Sequence, residues 1–251
     1  MFDTDKYATA TIVSRRDLAA DLWVVRIRPD VELPFRPGQY VTLGLELDGR
    51  IIERPYSIAS DPAEPEIELF IERVAQGELS APLHDVPIGS ATLVRKRCKG
   101  LFLKDAPVPD HPLLLVCTVT GVAPFVSMVR SLRRRLEGGE WTAEHAVIVL
   151  QGAARSDELG YADELRRHQA ECDWFTYVPT VSRPWEDTEW RGETGRVEDV
   201  LRKYADEAGL RPGYGAIFLC GNPGMIANSR GIMTRHGFAD KAIREEQYWP
   251  D

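Results

Sequence analysis

The stretch Arg54-Pro55-Tyr56-Ser57-Ile58-Ala59-Ser60 sets a fixed cation, an aromatic ring and a small hydroxyl within four residues. It lies in an apolar, strand-like run. In an extended chain successive side chains point to opposite faces. Arg54 and Tyr56 therefore share one face, and Ser57 takes the other or a bend. A polyanion with a flat ring system can use all three: the guanidinium on phosphate, the phenol ring stacked on the flat system, and the hydroxyl or an amide at its reactive edge. The alternative is an ordinary barrel strand ending in a turn at Ser60-Asp61-Pro62.

The second half of the chain carries its own polar groups at the ends of apolar runs. Thr118-Val119-Thr120-Gly121-Val122-Ala123-Pro124 reads as a tight loop delivering a helix that begins at Pro124, a favoured place for proline. Such a helix start offers N–H groups and a positive dipole end to a pyrophosphate. The loop lacks the three-glycine dinucleotide fingerprint. Further on stand Arg155, then Ser182 and Arg183, then Arg196. Three guanidiniums and a hydroxyl at neighbouring strand ends can hold a terminal phosphate dianion, each charge-assisted bond contributing about 1.5–3 kcal/mol. That would favour a nucleotide bearing a 2′-phosphate; surface salt bridges are the alternative use of the same residues. Cys220-Gly221-Asn222-Pro223-Gly224-Met225 is a small-residue turn able to admit a flat ring close to the backbone.

The elements that must position these groups differ between the halves. Residues 1–105 predict a β domain, with strands at 8–13, 22–27, 40–47, 51–57, 67–74 and 91–94, rich in Val, Ile, Leu and Thr. Asp48-Gly49 between two of them predicts a hairpin, and six short strands predict a closed antiparallel barrel. Gly77-Glu78-Leu79-Ser80 opens a short helix-like segment running to His84. Ser80 is the expected N-cap, and the segment reads either as an anion site or as a capped surface turn. Arg95-Lys96-Arg97-Cys98-Lys99 is the densest basic run, either a solvated face or a patch that steers an acidic partner.

Ala106-Pro107-Val108-Pro109-Asp110-His111-Pro112 has three prolines in seven residues and reads as the linker. Residues 113–251 then alternate strands and helices. Strands are expected at 113–117, 146–151, 175–181, 216–220 and 243–248, and helices at 124–136, 158–171, 197–208 and 225–236. This alternation predicts a parallel sheet with helices on both faces, whose ligands bind beyond the C-terminal strand ends.

Composition narrows the field. The chain has 251 residues, enough for two ordinary domains, and a formal net charge of −8. An acidic surface disfavours nucleic acid as main partner. No apolar run approaches the roughly 20 residues that span a bilayer, and the N-terminus lacks the regions of a signal peptide, so a cytoplasmic location is expected. None of the four cysteines, Cys98, Cys117, Cys172 and Cys220, lies within four residues of another. Zinc-knuckle and iron–sulfur motifs are therefore not expected, nor is any metal. An iron–sulfur centre in an electron path would belong to another protein.

Taken in order, Arg54-Pro55-Tyr56-Ser57, Gly77-Glu78-Leu79-Ser80, Thr120-Gly121-Val122-Ala123-Pro124-Phe125, Ser182-Arg183, Cys220-Gly221-Asn222-Pro223-Gly224-Met225 and Tyr248-Trp249 resemble the bacterial branch of the ferredoxin–NADP⁺ reductase family, over nearly the whole chain. The resemblance implies a barrel domain binding FAD and an α/β domain binding NADP(H). By position, Arg54 and Pro55 would lie at FAD, Arg54 on its phosphate, with Tyr56 stacked on the isoalloxazine and Ser57 near its N5. Ile71, Glu72 and Arg73 would line the flavin, and Glu78, Leu79 and Ser80 would cap its pyrophosphate. Thr120 would stand where both cofactors meet, beside Gly121 and Pro124. Arg155, Ser182, Arg183 and Arg196 would take the 2′-phosphate side. Cys220 would sit near the nicotinamide C4, with Gly221, Asn222, Pro223, Met225 and Asn228 around the nucleotide. Tyr248 and Trp249 would cover a flavin ring or adenine. Ser57, Tyr56 and Cys220 are the expected catalytic residues.

This chain departs from the family pattern in three places. Val119 stands where glycine is usual, Asn228 where an acidic residue is common, and Pro250-Asp251 extend past the usual last aromatic. The expected activity is electron transfer between NADPH and ferredoxin or flavodoxin by a monomeric flavoenzyme, with 95–99 and 133–135 as docking patches. The alternatives are a flavin reductase or oxygenase-associated NAD(P)H reductase and, from another class, a non-catalytic flavin-binding subunit of a larger electron-transfer complex.

Overall fold

A computed structural model describes residues 4–104, 106, 111–143 and 145–248. The chain divides into two compact units, residues 1–104 with 127–131, and residues 105–126 with 132–250. Of the expected linker, residues 107–110 lie outside the described residues.

The first unit is a six-stranded antiparallel sheet built from β1 (Tyr7–Ala19), β2 (Leu22–Pro29), β3 (Tyr40–Leu47), β4 (Arg50–Ser57), β5 (Ile67–Glu72) and β6 (Ala91–Arg95). Its strand order is β4-β3-β6-β1-β2-β5, and a bridge between Ile58 and Leu69 joins the two edges into the expected barrel. Alternation drives the inside–outside choice: Ala8, Ala10 and Ile12 of β1 turn inward to Trp23, Val25 and Ile27 of β2. Asp48 and Gly49 both have positive φ, 50° and 72°, as a two-residue hairpin turn requires. Pro55 costs no ladder bond beyond the edge, because β4 ends the strand order.

The second unit is a parallel sheet ordered β10-β9-β8-β7-β11-β12, from β7 (Leu113–Thr118), β8 (Val147–Ala153), β9 (Phe175–Val181), β10 (Glu193–Thr194), β11 (Ala216–Gly221) and β12 (Ile243–Gln247). Leu113, Leu114, Leu115, Val116 and Cys117 are wholly buried, as a central strand covered on both faces demands. The helices are α1 (Ser80–Asp85) in the first unit, then α2 (Ala123–Glu137), α3 (Ala162–Glu171), α4 (Val197–Glu207) and α5 (Pro223–Arg235). Strand order reverses between β7 and β11, so the sheet's switch point lies at their C-terminal ends.

Several expected boundaries move. The helix predicted over 158–171 begins only at Ala162: Ser156–Glu158 form a single 3-10 turn, and Tyr161, at φ 66°, breaks the helical path. Pro124 is the second residue of α2, after Ala123. Ser80 is not an N-cap: Leu79 holds that position, and the Ser80 hydroxyl instead accepts the Val74 amide at 3.0 Å.

Candidate functional site

In the first unit the cross-strand register sets Tyr56 opposite Val41 and Arg54 opposite Leu43. Tyr56 is half-buried against the barrel core, which fixes its ring while leaving part of it open. Arg54 donates to the Glu53 carbonyl at 3.0 Å and lies 3.4 Å from the exposed Glu78 carboxylate. Cation and ring thus share one partly open face, as their i, i+2 spacing requires. Ser57 is buried at the strand end.

The other flavin-side residues divide by depth. Glu72 and Glu78 are exposed and Arg73 is half-buried. Ile71 and Leu79 point into the core, so only their backbone groups can meet a cofactor. The Ser80 hydroxyl accepts the Val74 amide, which leaves its own O–H to donate to a pyrophosphate. Gly77 makes the approach to α1 possible: a Cβ there would stand 3.0 Å from both Ser80 Oγ and Val74 Cβ. An anionic cofactor with a flat ring fits Arg54, Pro55 and Tyr56 with the backbone of 77–80.

In the second unit the turns after β7 and β11 interlock at the switch point. A Cβ on Gly121 would lie 2.4 Å from the Cys220 carbonyl oxygen, and one on Gly221 would lie 2.4 Å from Thr118 Oγ1. Glycine at both positions lets the turns close on each other, and Gly221 further needs its φ of 121°. The Asn222 amide donates to Thr118 Oγ1 at 2.9 Å, locking them. Thr120 is half-buried in the 3-10 turn Val119–Val122.

Helix caps show which amides are already committed. The Asn222 side chain accepts from Gly224 and Met225, so it closes the start of α5 around Pro223. Asp199 accepts the Arg196 amide at the start of α4. No side chain caps α2. Its first amide, Ala123, donates to the Thr120 carbonyl and Pro124 has no N–H, so the fitting place for a pyrophosphate is the turn Val119–Val122 that leads into α2.

Arg155, Arg183 and Arg196 follow β8, β9 and β10, which are consecutive in the sheet. Their engagement differs. Arg155 is paired with Glu158 at 2.8 Å and Asp157 at 3.3 Å, and those carboxylates raise its pKa. Arg183 is less engaged: its side chain is 52% exposed, with Glu186 3.6 Å away. Arg196 is more exposed still and lies 4.0 Å from Glu198. Ser182 donates its amide to the Ala153 carbonyl, which holds the loop end against β8. Arg196 and Asn228 line one open cleft with Glu198 and Arg235. The Asn228 amide is occupied by Glu198 Oε1 at 3.0 Å.

Cys220 is wholly buried, and burial pushes its thiol well above the ordinary value. It is a neutral thiol beneath the turn surface. The Tyr248 hydroxyl is within hydrogen-bonding reach of that sulfur, and the Tyr248 amide donates to the Gly221 carbonyl at 3.2 Å. Tyr248 therefore ends the chain's described path directly over the β11 turn; Trp249 lies outside the described residues.

Sequence reasoning passed over Gln151. It is fully buried; its Nε2 donates to the Val119 and Gly160 carbonyls, both at 3.3 Å, while Tyr177 donates to its Oε1 at 2.7 Å. The available signal was one amide in the otherwise apolar run Val-Ile-Val-Leu-Gln-Gly-Ala. Among the described residues no group of acidic, histidine or cysteine side chains is arranged to hold a metal.

Residues 9–100 match the oxidoreductase FAD-binding domain, and residues 115–231 match the oxidoreductase NAD-binding domain. Ferredoxin–NADP reductase B of Sorangium cellulosum is 34% identical over 221 residues, 85% of each chain. The ferredoxin–NADP reductase of Pseudomonas aeruginosa is 30% identical over 218 residues, 82% of this chain and 80% of that one. The chain belongs to the ferredoxin–NADP reductase family. A ferredoxin–NADP⁺ reductase structure from Neisseria gonorrhoeae, with bound FAD and NADP, superposes with a TM-score of 0.84 at 23% identity, covering 97% of this chain and 99% of that one. The family's two domains correspond to the barrel carrying Arg54 and Tyr56 and to the parallel sheet carrying the interlocked turns.

Proposed function

We propose that this chain is an FAD-dependent oxidoreductase that moves electrons between NADPH and a ferredoxin or flavodoxin. The observation that carries the reading is one chain holding both halves of the chemistry. Arg54 and Tyr56 present a cation and a ring on one barrel face, and a glycine-tight switch point leads into the uncapped start of α2.

FAD supplies the exchange between a hydride and single electrons when bound; the protein supplies position and electrostatics. Arg54 balances phosphate charge, and Tyr56 stacks on one face of the ring system. Pro55 stiffens the strand between them. Buried Ser57 offers a hydroxyl where bulk water does not reach. The turn leading into α2 holds pyrophosphate, while Arg183, Arg196 and Ser182 take the 2′-phosphate. Arg155 contributes less, because Glu158 and Asp157 already neutralise it. Cys220 and Tyr248 together form the floor and cover of the β11 turn. No acid–base pair is needed for hydride transfer.

The docking surface is narrower than the basic runs suggest. Arg95 is tied to Glu53, and Arg133 to Glu137 and Glu171. Lys96, Arg97 and Lys99 are exposed and make no ion pair among the described residues. Gln39 donates to the Gly100 carbonyl and accepts the Arg36 amide, bringing exposed Arg36 to the same place. Leu101, 70% exposed, lies beside them. Cations around an apolar contact suit an acidic electron carrier. The reading takes the enzyme as a cytoplasmic monomer that meets its carrier there; among the described residues no helix is long and apolar enough to cross a membrane. The test is NADPH-driven reduction of cytochrome c with and without added ferredoxin. Carrier-dependent turnover is expected; a rate unchanged by ferredoxin and by flavodoxin removes the assignment.

A further inference from the structure

Val119 has a φ of 44°, which glycine adopts freely and a β-branched residue avoids. Two restraints hold it there. Buried Gln151 donates to the Val119 carbonyl, and the same amide nitrogen donates to the carbonyl of Gly160, which precedes left-handed Tyr161. Tyr177 fixes which end of the Gln151 amide faces them. The Val119 side chain packs on a small apolar cluster of Ala153, Leu159 and Val181, shared with Ala162 and Trp190. Trp190 is itself fixed by donation to the Glu193 carbonyl at 2.9 Å. Glycine would meet the backbone demand without strain. What valine adds is a side chain seated in that cluster.

We propose that Val119 is a positioning residue that clamps the turn Val119–Val122, so that the amides of this turn are held ready for the pyrophosphate of NADP(H). The inference rests on the nucleotide site proposed above. Strain at one residue persists only where its surroundings over-determine it, and here the restraints act on the turn that opens α2. Removing the side chain frees the turn, and binding must then order it again.

The test uses FAD-loaded protein as wild type, Val119→Gly and Val119→Ala, with NADP⁺ and 2′-AMP as calorimetric probes and thermal unfolding alongside. Val119→Gly is expected to bind NADP⁺ about tenfold more weakly. Its 2′-AMP affinity should stay within about twofold, because that probe carries no pyrophosphate. Val119→Ala keeps the strain without the anchor and should unfold at a lower temperature than Val119→Gly. Unchanged NADP⁺ binding in Val119→Gly, equal weakening of both probes, or Ala more stable than Gly would overturn the inference. Wild-type protein that binds neither probe overturns the nucleotide site itself, and the inference with it.

Discussion

Gly121 lies so close to the Cys220 carbonyl that a Cβ on it would stand 2.4 Å from the oxygen. The obstacle is backbone, not a flexible side chain, so any larger residue must push the two turns apart. Gly121→Ala is therefore expected to slow flavin reduction by NADPH about a hundredfold, since displacements of about 1 Å near a reacting site cost that much. FAD content, read from the absorption of purified protein, should be unchanged, because the altered turn belongs to the other unit. Stopped-flow reduction at wild-type speed would refute the role given to this contact.

The arginines rank by how free they are. Arg183 has one weak partner and Arg155 two close ones. Arg183→Ala should lower kcat/KM for NADPH by about tenfold to a hundredfold, the worth of one charge-assisted bond, and leave NADH nearly unaffected. Arg155→Ala should move the same ratio less. Steady-state kinetics with both nucleotides measures this; an unchanged ratio in Arg183→Ala would reject the 2′-phosphate assignment.

Glu53 accepts from Arg95 and from the Tyr7 hydroxyl, and these bonds, Arg95 first, hold its carboxyl below the ordinary range. A carboxylate with a lowered folded pKa adds stability that is present above its ordinary value near 4.5 and is lost as pH falls through the folded value. Urea unfolding should show wild-type stability dropping below that pH. Glu53→Gln should show a flatter profile in the same window and a loss at neutral pH of about 1 kcal/mol, as the pair is partly exposed. Parallel profiles for the two proteins would contradict this.

Carrier reduction should weaken with added salt, because the free cations at Lys96, Arg97 and Lys99 act through screened attraction. Arg97→Glu should raise KM for an acidic ferredoxin about threefold to tenfold and leave ferricyanide reduction unchanged. A salt-independent ferredoxin rate would move the docking surface elsewhere.

Local rules made much of this legible in the sequence. The hairpin at Asp48-Gly49, the buried strand over 113–117 and the switch in periodicity past residue 112 all follow from neighbouring residues. What was not legible depended on partners distant in sequence. Arg95 looks like part of a free basic run, but β6 lies beside β3 and β3 beside β4, which brings Glu53 to it from 42 residues away. Ser80 looks like a helix cap until Val74 claims its hydroxyl. Tyr161 carries no sign of a left-handed backbone, and so the helical pattern in the sequence runs past the true start of α3. Cys220 follows the expected motif, yet its side chain faces inward, because the period of the strand and not the motif decides its direction. Val119 was visible as an unusual residue; that Gln151 and an apolar cluster hold it in a glycine-like conformation needed the packed sheet.

If two cofactors react in one chain, anaerobic titration of the purified protein with NADPH must reduce the flavin. A yellow protein is expected, with flavin absorption that bleaches in proportion to the NADPH added and NADH far less effective. A colourless protein that takes up no FAD, or a flavin that NADPH leaves oxidised, would contradict it.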